Sequence, residues 1–161
     1  MDVLVLDLGD KIKGNSQLKG FANKIECLSF SQGVSLPLSH HISNTERTAG
    51  KPNFQDITLS KMTDQATPAM FQAVCEGTPI TQAVITIGRN QGDGTVMEHM
   101  KYTLKEVLIA NLSTSGGGGM PMDTFSLSFS NIQIEYVAQK SDSTKEGQSS
   151  AKWDLKTNSA T

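Results

Sequence analysis

The segment Gly50–Pro68, GKPNFQDITLSKMTDQATP, passes from loop to strand to helix in one run. Lys51 to Asn53 is loop-like in composition. Ile57 and Leu59 alternate with polar residues, as one face of a half-buried strand requires, and this sets a strand over Phe54–Met62. Thr67-Pro68 then reads as a helix start. A threonine oxygen can accept from the first free N–H groups, and proline is pre-set for the first helical position. The spacing predicts a helix over Pro68–Glu76, with Phe71, Val74 and Cys75 on its apolar face and Gly77 as the terminator.

On either side of this segment the period is two. Val3–Leu8 reads as a strand, and Lys24–Ser35 as another, with Leu28 and Phe30 opposite Cys27, Ser29 and Ser31. Periodicity vanishes over residues 36–53, which read as an extended loop, long enough to expect a functional or mobile role. Ala83–Arg89 alternates. Val96–Leu112 is β-rich: Met100, Tyr102, Leu104, Leu108 and Leu112 share one face, interrupted by Glu106, while Val107 and Ile109 take the other. A bend, or cover on both faces, is expected there. Thr124–Val137 shifts phase, from Phe125, Leu127 and Phe129 to Ile132, Ile134 and Tyr136. One extra residue near Ser130-Asn131 would explain the shift as a β-bulge. Residues 139–150 read as a polar linker to a short last strand, Ala151–Thr157, that carries Trp153. No βαβ rhythm is present. The expected fold is mainly β, a two-sheet antiparallel barrel or sandwich with one flanking short helix at about residues 68–76.

The chain has 161 residues, which suits a single domain over 1–161. Fourteen basic residues face 16 acidic ones, for a net charge of −2. That balance gives no electrostatic footprint for nucleic acid or an anionic membrane. The opening MDVLVLDLGDKIKG lacks the basic start and long apolar run of a cleaved signal peptide, and no stretch reaches the ~18 apolar residues of a membrane span, so cytoplasmic synthesis is expected. Cys27 and Cys75 are expected to be buried, reduced thiols.

Catalytic and cofactor readings find little support. Gly116–Gly119 joins two strands and is not followed by Lys-Ser/Thr, so a hairpin tip is expected instead of a phosphate loop. His40, His41 and His99 have no cysteine pair at zinc spacing, and no metal site is expected. No serine sits in a G-x-S-x-G elbow. Asp56 and Asp64 flank one strand; Asp64 is expected to organise the helix start. The chain is read as a non-enzyme with no cofactor.

The motifs resemble the haemolysin-coregulated protein (Hcp) family, the ring-forming inner tube of bacterial type VI secretion. The matching residues are Lys51, Gln55-Asp56, Lys61, and Asp64 with Thr67-Pro68. Gly9-Asp10, Lys13-Gly14 and Ser16 match an early G-D-x-x-K-G; Thr103–Leu108 matches T-L-K-[DE]-V-L; Ser126–Phe129 and Trp153-Asp154 match later motifs. Phe30-Ser31-Gln32-Gly33 departs from the family's aromatic-Ser-aromatic-Gly at Gln32.

The resemblance implies a β-barrel of two sheets that assembles into a hexameric ring. Rings stack into a tube, which a contractile sheath expels and which carries effectors in its lumen. It implies homo-oligomer contacts, sheath, tip and effector partners, and secretion from the bacterial cytoplasm without a cleaved signal. Cys27, Ser29 and Ser31 would then face the lumen. His41, Thr45, Arg47 and Lys51 would belong to a ring-stacking loop that is glycine-rich in many relatives. The competing expectation is a carbohydrate- or peptide-binding β-sandwich using the loops at 36–53 and 88–95.

Overall fold

The computed structural model describes residues 3–40, 47–139 and 145–160. The chain opens with β1 (Val3–Asp7), whose Leu4 and Leu6 face the core, and returns through β2 (Ile25–Glu26) beside it. Then come β3 (Ser29–Ser31), β4 (Val34–Ser35), β5 (Leu38–His40), β6 (Arg47–Ala49), β7 (Asn53–Phe54) and β8 (Ile57–Met62). The helix α1 (Ala66–Glu76) leads to β9 (Ile80–Asn90), β10 (Val96–Ser115), β11 (Met122–Ser128), β12 (Asn131–Gln139) and β13 (Lys145–Asp154). Every strand pair is antiparallel.

β10 is long enough to serve two layers. Its first part pairs β9 and β12, in a sheet that continues through β1 to β2 on one side and ends with β13 on the other. Its last part pairs β11, which pairs β8, which pairs β3. The free ends of this path are joined by consecutive residues: Cys27 N–H donates to Leu4 O at 2.8 Å and Leu28 N–H donates to Ser60 O at 2.7 Å. The result is a barrel-like sandwich filled by Leu6, Ile25, Ile57, Leu59, Phe125 and Leu127.

The expected bend in β10 is present, and it explains the phase shift downstream. Leu104 and Val107 are both buried, as are Phe129 and Ile132. The register is unbroken across the corner, with Lys105 opposite Asn131 and Leu108 opposite Ser128. Two residues therefore face two, and the expected bulge at Ser130-Asn131 is corrected. Both strands turn together from one sheet into the other. Glu106 takes a left-handed φ of 52° to make the turn. Outside the corner its carboxylate accepts from Ser130 Oγ at 2.6 Å and pairs with Lys156 Nζ at 2.5 Å. True irregularities in β10 fall elsewhere, at Glu98/Met100 and Ile109/Asn111.

Other expectations also change. The strand read over Lys24–Ser35 is three short pieces, because the chain turns twice to cross between sheets. Within the segment 36–53, β5 pairs β6, so part of that loop is a ladder. The second half of the polar stretch 139–150, residues 145–150, is β13 and not a linker; polar residues suit it because residues 146–150 are exposed. The helix begins at Ala66 and buries Ala66, Met70 and Ala73, whereas Phe71 is 64% exposed and Cys75 is exposed too. Gly77 does terminate it, in a left-handed conformation (φ 63°). No helix among the described residues is long and apolar enough to cross a membrane.

Gly14, the glycine that closes the early motif, allows a close backbone approach. A Cβ there would lie 2.4 Å from Lys24 O, where Gly14 N–H already bonds Asn23 O at 2.9 Å. Gly14→Ala is expected to destabilise the fold by about 1–3 kcal/mol through overpacking against backbone. Urea unfolding at fixed protein concentration measures this, and an unchanged midpoint would contradict the close approach.

Candidate functional site

The second sheet is built from four short sequences: SFS (β3), ITLSKM (β8), MDTFSLS (β11) and LIANLSTS, residues 108–115 of β10. Strand alternation sends Phe30, Leu59 and Phe125 inward. The other face carries small hydroxyls and amides in two cross-strand rows. One row runs Ser29, Ser60, Thr124, Ser113. The next runs Ser31, Thr58, Ser126, Asn111. Ser29 Oγ and Ser60 Oγ share a hydrogen bond of 2.6 Å, and Thr58 Oγ1 and Ser126 Oγ one of 3.2 Å. Asn111 Nδ2 donates to Ser126 Oγ at 3.2 Å. Met62 and Met122, opposite each other and partly exposed, border the rows.

Only two residues in these four strand segments carry charge, Lys61 and Asp123. They stand directly opposite one another and both point into the core, each with a fully buried side chain. Burying either charge alone would be prohibitive, so partners are needed for every polar atom. Lys61 Nζ donates to Asp123 Oδ2 at 2.7 Å, Asp64 Oδ1 at 2.8 Å and Thr67 Oγ1 at 2.8 Å. An ammonium has three protons, and these three short bonds engage them, with Met62 O a longer fourth acceptor at 3.4 Å. Asp123 Oδ1 accepts from Thr63 Oγ1 at 3.0 Å and Thr114 Oγ1 at 2.7 Å, while Oδ2 also accepts from Thr67 Oγ1 at 2.5 Å. Burial pushes the Asp123 carboxyl up, but the bonds from Lys61 and the three threonines outweigh it and bring it to about 2.

The helix start belongs to this network. Asp64 Oδ1 accepts from Ala66 N–H at 3.0 Å, so Asp64 organises the first turn as expected. Thr67 is not the cap. Its hydroxyl is turned to Lys61 and Asp123, and it also accepts from Asp64 N–H at 3.3 Å. Pro68 sits in the first turn, where its missing N–H has no intrahelical partner to lose.

Of the residues expected on one solvated face, Ser29 and Ser31 are exposed and in phase. Cys27 departs from them, because the chain turns at Cys27-Leu28. Its thiol lies against the core, where burial pushes it up to about 12; Lys61 opposes that rise and Asp64 adds to it. Cys75, expected to be buried, is exposed. His41 and Thr45 lie outside the described residues. Arg47 is in β6, and Lys51 is exposed just beyond it. The partners of Ser29 and Ser31, namely Thr58, Ser60, Thr124 and Ser126, were missed. Their signal was available as hydroxyls at every second position in T-L-S and T-F-S.

Residues 5–136 match the family described as type VI secretion system effector, Hcp. The curated protein hcp1 of Pseudomonas aeruginosa is 35% identical over 146 residues, covering 89% of this chain and 88% of that protein. Among solved structures, one described as a type six secretion system protein superposes with a TM-score of 0.90 at 21% identity, covering both chains fully. Hcp1 from Salmonella typhimurium gives 0.77 at 26% identity, over 99% of this chain and 98% of its own.

Removing one partner of the buried pair strands the other charge. Lys61→Met is expected to cost about 3–5 kcal/mol, whereas adding Asp123→Leu to it should restore much of that loss. Denaturant unfolding of the two variants checks this, and equal losses would contradict the coupling. The Asp123 carboxyl is held below its ordinary value of 3.8 in the folded state, so its contribution is present above about pH 4 and is lost as pH falls towards 2. Acid unfolding over that window should flatten in Asp123→Asn.

Proposed function

The chain belongs to the Hcp family, the tube proteins of type VI secretion, and from that premise we propose that it forms a homo-hexameric ring of the inner tube. Rings stack, a contractile sheath expels them past the tip proteins, and effectors travel in the lumen. The protein is made in the bacterial cytoplasm and leaves the cell through the machine.

The observation that carries this reading is the uncharged hydroxyl face. Two rows of Ser, Thr and Asn cross four strands, and the sheet's two charges are turned away from it. A wall of this kind stays hydrated without attracting or repelling cargo by charge. We place Ser29 and Ser31 on the channel wall, joined by Ser60, Thr58, Ser126 and Asn111, and leave Cys27 out. The open flanks of the sheet, at β3 and at the end of β10, are strand edges that a neighbouring subunit would protect. In this reading His41, Thr45, Arg47 and Lys51 belong to the loop that meets the next ring.

Light scattering should give a mass of six protomers at micromolar concentration; a monodisperse monomer would overturn the ring. Ser31→Glu should keep that mass and change stability by no more than about 0.5 kcal/mol, as surface substitutions do. It should lower the amount of co-purified luminal effector. Loss of folding would place Ser31 in the core, and unchanged cargo on intact rings would remove its binding role.

A further inference from the structure

Helix α1 is apolar on two faces. Ala66, Met70 and Ala73 enter the core, yet the opposite ridge carries Phe71, 64% exposed, with Pro68 and Cys75 one turn to either side. Exposed Gln72 and Glu76 share the outer side of the helix, and nothing among the described residues covers Phe71.

A second apolar surface lies elsewhere. A groove of about 530 Å³ opens between the β12–β13 hairpin and the segment before β8. Val34, Leu36, Pro52, Phe54, Ile134 and Trp153 line it. Val34 and Leu36 stand 55% and 50% exposed at its lip. Trp153 packs against the core and also lines the groove.

The two surfaces sit at opposite ends of β8. Phe54 precedes this six-residue strand, and α1 follows it. At ~3.3 Å per residue they are separated by roughly 20 Å, too far for Phe71 to enter its own groove. Their charges are complementary. The only charged side chain on α1 is Glu76, and the only charged residue lining the groove is Lys152. A knob at one end and a matching groove at the other are what a repeated head-to-tail contact uses, since such a contact joins two different patches.

We propose that the occupant of the groove is a second copy of this chain, with Phe71 of one subunit seated among Val34, Leu36, Phe54 and Trp153 of the next, and Glu76 brought towards Lys152. The inference rests on the ring reading and names the contact that closes the ring.

The test compares native mass for the wild type, Phe71→Glu, Leu36→Glu, and the double variant Phe71→Glu/Leu36→Lys. Both single substitutions are at exposed positions, so the chains should fold and run as monomers, while the double variant should recover at least part of the ring population. Rings that survive both single substitutions would overturn this contact and leave the ring reading standing. A monomeric wild type would defeat the ring reading itself. A second arm is independent of charge effects: Phe71→Cys/Leu36→Cys in a Cys75→Ser background should give a ladder of disulfide-linked multimers on non-reducing gels. A single monomer band from intact rings would overturn the proposal.

Discussion

The ion pair between Lys61 and Asp123 is the interaction on which the other parts depend. It ties the last residues of β8 to β11, recruits Thr114 from β10, and reaches Thr67 and Asp64 at the start of α1. Four elements therefore meet at one buried charge. Such a pair is a weak source of net stability, because desolvating two ions offsets most of their attraction. Its effect is on uniqueness. Any arrangement that separates these elements leaves a charge buried without a partner.

The same pair fixes the register of the second sheet. A slip of one residue between β8 and β11 would move Lys61 away from Asp123, and a flip of either strand would carry its charge to the outer face. The hydroxyl rows depend on that register, since Ser60 meets Ser29 and Thr124 only in the alignment that sets Lys61 against Asp123. An uncharged outer face and a charged core site are thus two consequences of one alignment. The outer positions of the first sheet, such as Lys101 opposite Glu135, do carry charge.

Local patterns were legible where one strand faces one environment. Ile57 and Leu59 gave β8, and Gly77 gave the helix end, because alternation and a left-handed terminator act locally. The readings that failed were those in which a strand serves two layers. The phase shift after Phe129 was visible, but a bulge and a paired corner produce the same shift in one strand. Only the partner strand, with Glu106 at positive φ, tells them apart. Cys27 was lost from the solvated face for the same reason, since the chain changes sheets beside it. The candidate face was half legible: Ser29 and Ser31 could be read from alternation, but their neighbours come from strands some thirty and ninety-five residues later, so no local pattern joins them. Asp123 had a fainter signal, as the one acidic residue in a strand that is otherwise free of charge.

The misread helix face has a different cause. Periodicity detects apolar residues on one side of a helix, but it does not say whether the cover comes from the same chain. Of the expected stripe, Val74 does pack against the core, beside Ala66, Ala69, Met70 and Ala73, but Phe71 and Cys75 face outward. Three alanines and the unbranched Met70 let the helix lie against the barrel, where it packs chiefly on β10. Phe71 points away from the barrel, and there it exposes apolar area that a lone subunit does not bury. In the proposed assembly the helix has cover on both sides, one supplied by the barrel and the other by a neighbouring copy of the chain.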